Sequence, residues 1–231
     1  VVVIFGSFSI FLLNPFVNFA MSVVIMVGFS LLLFGFYFKK NNSNVITLLL
    51  LGVIFGQLFS NVSSFFMMLV DPNDFASIQS SMFASFNNIN KDLVYFCVIP
   101  LLLISAVLFR MSNVLDVFWL DNDNATSLGV DVGKITKQVL ILVAILISVS
   151  TALVGPVMFF GLLVANLAKE FFHTYRHRTL LLGSSLMAMS MLLSGQWAIE
   201  NIFKFETTLS VVINFIGGLY FLSLLVRQKI Q

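Results

Sequence analysis

Hydrophobic positions in this chain run on rather than alternate. Apolar stretches recur along it, each cut off by a short polar break. The runs cover residues 1–13, 16–38, 45–70, 93–109, 139–154, 155–168, 179–202 and 209–226. About 20 apolar residues cross a hydrocarbon core of roughly 30 Å as a helix, so most of these runs predict membrane spans. Lipid offers no partners for backbone amides, which leaves helices or a closed barrel. A barrel needs short strands of alternating polarity, and the continuous runs exclude it. Asn14-Pro15, Lys39-Lys40 and Asp71-Pro72-Asn73-Asp74 mark the breaks, and Gly155-Pro156 interrupts an apolar run from within. Pro100 is expected to kink the fourth run.

Composition agrees with that pattern. Apolar residues make up 59% and charged residues 10%, against about 25% charged in a soluble domain. The chain cannot clothe a water-facing surface. The fold class expected is an all-α integral membrane protein, a polytopic helical bundle. The chain begins inside an apolar run with Val rather than Met, so the N-terminus is expected to be missing. The lone cysteine, Cys97, falls in an apolar run and reads as a packed thiol.

Charge placement sets the orientation. If the connections alternate sides, one side holds Lys39, Lys40, Arg110, Lys134, Lys137, Lys169, Arg176, Arg178, Arg227 and Lys229. The other holds only Lys91 and Lys204. Cytoplasmic loops carry the excess of Lys and Arg. The split predicts a cytoplasmic C-terminus and a cytoplasmic loop at about 110–134. It also requires the short 155–168 segment to count as a crossing.

Candidate chemistry is sparse. Asp121, Asp123 and Asp131 read as a solvated loop surface, because the loop lacks the glycine turn and terminal Glu of a calcium site. Gly129 to Thr136 has three residues between its glycines and Ile after the Lys, so it is no phosphate loop. His173 and His177 are four apart, which would place them on one helix face. No third ligand accompanies them, and Arg176 and Arg178 would repel a cation. No Ser-His-Asp set, carboxylate pair or Cys-His cluster supports an enzyme. Gln57, Ser60, Asn61 and Ser64 share one stripe of the third run. Polar groups inside a span face the bundle or a watery cavity, so the stripe either bonds helix to helix or lines a pathway. Asn214, Gly217 and Gly218 in the last run carry the same two readings. Gly52 and Gly56 are spaced for close helix packing.

The order of motifs resembles one family. Ser127-Leu128-Gly129-Val130 leads into a span. That span ends at Gly155-Pro156-Val157-Met158-Phe159-Phe160-Gly161-Leu162-Leu163-Val164, and Arg176-His177-Arg178 follows. This is similar to the FecCD-type permeases of bacterial ABC importers, which include vitamin B12 and iron–siderophore importers. The family's phrases are S-L-G-V, then G-P-I-G-F-V-G-L-I-V-P-H-I-A-R, then D-H-R. Here Ala165-Asn166 replaces Pro-His and Lys169 replaces Arg, and 79–90 lacks the usual tryptophan-and-glycine phrase. These departures resemble the catecholate-siderophore subgroup.

The resemblance implies a single transmembrane permease domain over 1–231, with eight of the ten helices of a type II ABC importer permease. It implies transport of a ferric siderophore across the bacterial inner membrane. This chain would bind no cofactor or metal; ATP and Mg would sit in partner ATPase subunits. The other partners would be a second permease copy or homologue, a periplasmic or lipid-anchored siderophore-binding protein and membrane lipids, with no nucleic acid. ATPase coupling would fall to Val117, Phe118, Leu120, Asn124, Ser127, Leu128, Gly129 and Val130 in short helices of the 110–134 loop. The helix break would be built on Gly155, Pro156 and Gly161, with the pathway along the third and last runs. Lys91 and Lys204 would meet acidic lobes of the binding protein. Rival readings are an ion-gradient-driven secondary transporter, which should show ionisable groups at mid-membrane, or the same permease type carrying vitamin B12 or haem.

Overall fold

The computed structural model describes residues 14–39, 45–68, 89–120, 122–202 and 208–228. The expected span at 1–13, the turn at 71–74 and Asp121 and Lys204 lie outside those residues. The described chain is all helix: α1 (Pro15–Lys39), α2 (Val45–Met68), α3 (Lys91–Val117), a 3-10 turn (Phe118–Leu120), α4 (Asn122–Ser127), α5 (Val132–Val154), α6 (Phe160–Phe172), α7 (His177–Asn201) and α8 (Leu209–Gln228). Five of these, α1, α2, α3, α5 and α7, are long and apolar enough to cross a membrane.

Local chemistry explains two of the helix starts. Asn14 Oδ1 accepts the Phe16 amide at 3.1 Å and Pro15 takes the first helical position, where its missing N–H costs nothing. Asn90 does the same for α3, accepting the Asp92 amide. The helices outrun the apolar stretches at several ends. The α3 helix continues through Arg110 to Val117, and α5 begins at Val132 rather than near 139. The expected loop at 110–134 is therefore helical at both ends. Apolar composition marks the edge of the hydrocarbon, whereas backbone hydrogen bonding continues past it. At 27 residues α3 is about 40 Å long, so it outreaches a core of roughly 30 Å. The opposite holds for α6. Its 13 residues reach only about 20 Å, so a crossing there needs the non-helical residues 155–158 as well.

Cα proximity divides the chain into two compact units, 1–81 with 133–153, and 82–132 with 154–231. In the first, Phe29 of α1 meets Phe55 and Phe59 of α2 edge-on, with centroids 5.9 and 4.4 Å apart. Lys137 of α5 lies over the Phe38 ring. A Cβ at Gly52 or Gly56 would meet nothing within 4 Å, so among the described residues that pair forms no close helix contact. In the second unit, α6 packs on α7, α3 on α7, and α8 on both α6 and α7. Its buried apolar residues include Leu93, Cys97, Leu163, Val164, Ala168, Ile199 and Leu209. Gly183 of α7 is buried where a Cβ would overlap the Phe172 ring of α6.

Candidate functional site

The second unit gathers the sequence-predicted coupling residues at one end of its helices. Val117 closes α3, Phe118 and Leu120 lie in the 3-10 turn, and Asn124 and Ser127 lie on α4. Asn124 Nδ2 donates to the Leu120 carbonyl at 2.7 Å, which ties α4 to the turn. Ser127 Oγ donates to the Asp123 carbonyl. The α4 helix then stops in a defined way. The Gly129 amide donates to Thr126 O at 2.9 Å and the Val130 amide to Ala125 O at 3.1 Å. Gly129 has φ +82°. This pair of bonds around a left-handed glycine satisfies carbonyls a helix end otherwise leaves open. Ala125 is fully buried, whereas Leu128 is 64% exposed. The segment presents an apolar side chain on a short, firmly terminated helix.

Next to it lies a cavity of about 490 Å³. Phe118 and Trp119 line it from the turn, Ala168 and Lys169 from α6, and His177 and Leu180 from α7. Lys169 Nζ sits 5.9 Å from the Trp119 ring centroid, within cation–π range. Asp116, the penultimate residue of α3, accepts twice at one oxygen. Its Oδ1 lies 2.6 Å from the His177 amide and 2.8 Å from His177 Nδ1. The α7 helix needs this, because its N-cap Arg176 has extended backbone and supplies no side-chain cap. The sequence signal was available but indirect: a helix start with Arg at the cap must find its acceptor elsewhere.

His173 and His177 do not share a helix face. His173 is the C-cap of α6, left-handed at φ +45°, and His177 is the first residue of α7. The turn between them breaks the spacing argument. Among the described residues no group of three or more His, Cys, Asp or Glu could hold a metal.

Residues 155–158 are non-helical between α5 and α6. Gly155 takes φ +100° and Phe159 φ +57°. Gly161 is instead the second residue of α6. A left-handed residue with a side chain is costly; Phe159 is 45% exposed, but α8 comes close to its Cβ. A Cβ on Gly217 of α8 would come 3.1 Å from the Phe159 Cβ. Gly217 is thus buried against the α6 start, whereas a Cβ on Gly218 would meet nothing within 4 Å. Asn214 Oδ1 is buried with no hydrogen-bond partner among the described residues.

The α2 stripe belongs to the first unit. Gln57, Ser60, Asn61 and Ser64 are all exposed. Gln57 Nε2 donates weakly to Asn61 Oδ1 at 3.4 Å, and Ser64 Oγ donates to the Ser60 carbonyl at 2.9 Å. Lys91 is exposed at the start of α3.

Known proteins are similar to this chain over nearly its whole length. The FecCD transport family matches residues 1–227. The petrobactin import system permease protein YclO of Bacillus subtilis (strain 168) is 49% identical over 229 residues, covering 99% of this chain and 73% of that protein. The petrobactin import system permease protein FatC of Bacillus anthracis is 36% identical over 227 residues. That match takes in 97% of this chain and 64% of that protein. A solved metal-chelate type ABC transporter in an inward-facing conformation superposes with a TM-score of 0.83 at 23% identity. It covers 97% of this chain and 71% of that one, and shows the same fold. With its family matched from residue 1 to 227, this multi-pass membrane chain belongs to the FecCD transport family.

Proposed function

We propose that this chain is a permease subunit of an ATP-driven importer for a ferric siderophore, with petrobactin the first cargo to test. The observation that carries the reading is the 49% identity to a petrobactin import permease across 99% of the chain. The family is one of transport. The chain itself holds no ATP; ATP and Mg belong to partner ATPase subunits.

The 3-10 turn and α4 dock on that ATPase, with exposed Trp119, Leu120 and Leu128 seated in its groove. The basic excess on this side of the chain puts the segment and the C-terminus in the cytoplasm of a bacterial inner membrane. The α2 stripe lines the cargo route, because four exposed polar side chains on a span are tolerated only against protein or water. A second permease copy or homologue completes the route, and a siderophore-binding protein delivers cargo at the face holding Lys91.

The test is co-purification of the ATPase with the permease, followed by uptake of radiolabelled ferric petrobactin into proteoliposomes. Leu128→Glu should abolish ATPase capture and uptake together. Undiminished capture would remove the docking assignment. Capture without petrobactin uptake would move the cargo to another chelate.

A further inference from the structure

We propose that Asp116 is the positioning residue that links movement of the ATPase-docking segment to helix α7, by capping that helix from a neighbouring helix. The inference rests on the coupling reading above. It concerns a residue outside the docking surface itself.

Three features of the site carry it. First, α7 starts without a cap of its own: Arg176 occupies the N-cap position in extended backbone and makes no side-chain cap bond. Second, Asp116 supplies the missing acceptor across 61 residues of sequence, taking both the His177 amide and His177 Nδ1 on Oδ1. A carboxylate there also meets the positive end of the helix dipole. Third, Asp116 is covalently one residue from the end of α3, and the 3-10 turn begins two residues after it. Trp119 of that turn stacks under Lys169 of α6 and lies with its ring centroid 6.5 Å from that of His177. The end of α3 and the turn after it therefore grip the end of α6 and the start of α7 at two points.

A cap within the same segment would hold α7 equally well as a helix, but would not bond its start to the end of α3. Hydrogen bonds to one oxygen at 2.6 and 2.8 Å tolerate only a few tenths of an ångström before they weaken. Movement of the turn is then either passed to α7 or breaks the tie. Since α7 packs on α6, α3 and α8, a shift of its start is felt throughout this unit.

The experiment separates capping from linking. Asp116→Ala removes both. Adding Arg176→Asp restores a carboxylate at the N-cap of α7 without the hydrogen-bonded link to the end of α3; Arg176→Asp alone is the control. In the assembled transporter in proteoliposomes, Asp116→Ala should retain its ATPase subunits and hydrolyse ATP, yet move about tenfold less ferric petrobactin per ATP, within the usual range for coupling between sites. Asp116→Ala/Arg176→Asp should recover thermal stability and stay uncoupled. Recovery of transport per ATP in that double variant would reduce Asp116 to a cap and overturn the proposal. Asp116→Asn keeps an acceptor oxygen and covers a folding failure of the alanine variant. It should keep transport per ATP within about twofold of the parent, and a roughly tenfold loss in that folded variant would refute the hydrogen-bonded link. Leu128→Glu in parallel tests the underlying reading: unchanged ATPase capture there defeats the docking assignment, whatever Asp116 does.

Discussion

Replacing Gly183 by alanine tests whether the contact between α6 and α7 is as close as the structure has it. The new Cβ would come within 2.6 Å of Phe172 Cζ and 2.8 Å of Cδ2, and would overlap Cε2. Carbon atoms prefer about 3.5–4.0 Å, so the ring must move by close to an ångström. It is not free to do so without loss, because Phe172 is half-buried and meets Phe171 edge-on at 5.2 Å and 80°. Overpacking costs about 1–3 kcal/mol, and disturbing an aromatic pair about 0.5–1.5 kcal/mol more. Alanine returns up to about 1 kcal/mol in helix propensity. The net expectation is a loss of about 2 kcal/mol, roughly a 30-fold change in the folded-to-unfolded ratio.

Reversible unfolding in mixed detergent micelles measures it. The double variant Gly183→Ala/Phe172→Leu should be more stable than the sum of the two single changes by at least about 1 kcal/mol, since the contact couples them. Gly28→Ala is the control, because a Cβ there meets nothing within 4 Å. Zero coupling, or a Gly183→Ala protein as stable as its parent, would refute the packing.

Three further outcomes follow from the same geometry. Gly129→Val places a β-branched residue at φ +82°, at a cost of about 1–2 kcal/mol; it should leave the long helices folded, which circular dichroism checks, while uptake falls about tenfold or more, as for coupled sites. Normal uptake would clear Gly129 of a coupling role. Asn214→Leu removes a buried acceptor without a described partner; stability should hold or rise, because an unsatisfied buried group costs about 1–3 kcal/mol. A clear loss would reveal a partner for that oxygen. Lys91→Glu should weaken binding-protein-dependent uptake, more at low salt than at high salt, and salt-independent wild-type uptake would end the docking role of Lys91.

Membrane class, helix order and family motifs were legible in the residues alone. Apolar run length is a local property: each residue's preference for lipid adds along the chain, so 45–70 in the reading became Val45–Met68 in the fold. The Ser127-to-Val130 phrase was legible for a similar reason, since a glycine at a short helix end closes bonds only three and five residues back. Helix ends were less legible, because α3 and α5 extend into polar sequence where composition changes but backbone bonding does not.

What only the tertiary structure decided is whatever depends on partners far apart in the chain. Spacing placed His173 and His177 together; a left-handed turn at His173 separated them and gave His177 to Asp116. No periodicity could choose that acceptor, because it comes from another helix. Gly217 carried two readings, helix packing or pathway lining, and its contact with Phe159 is one that spacing could not name; nor could spacing place the Phe172 ring beside Gly183. A local preference is written in the residue itself, whereas a close approach depends on where two helices cross, and that is a property of the whole fold.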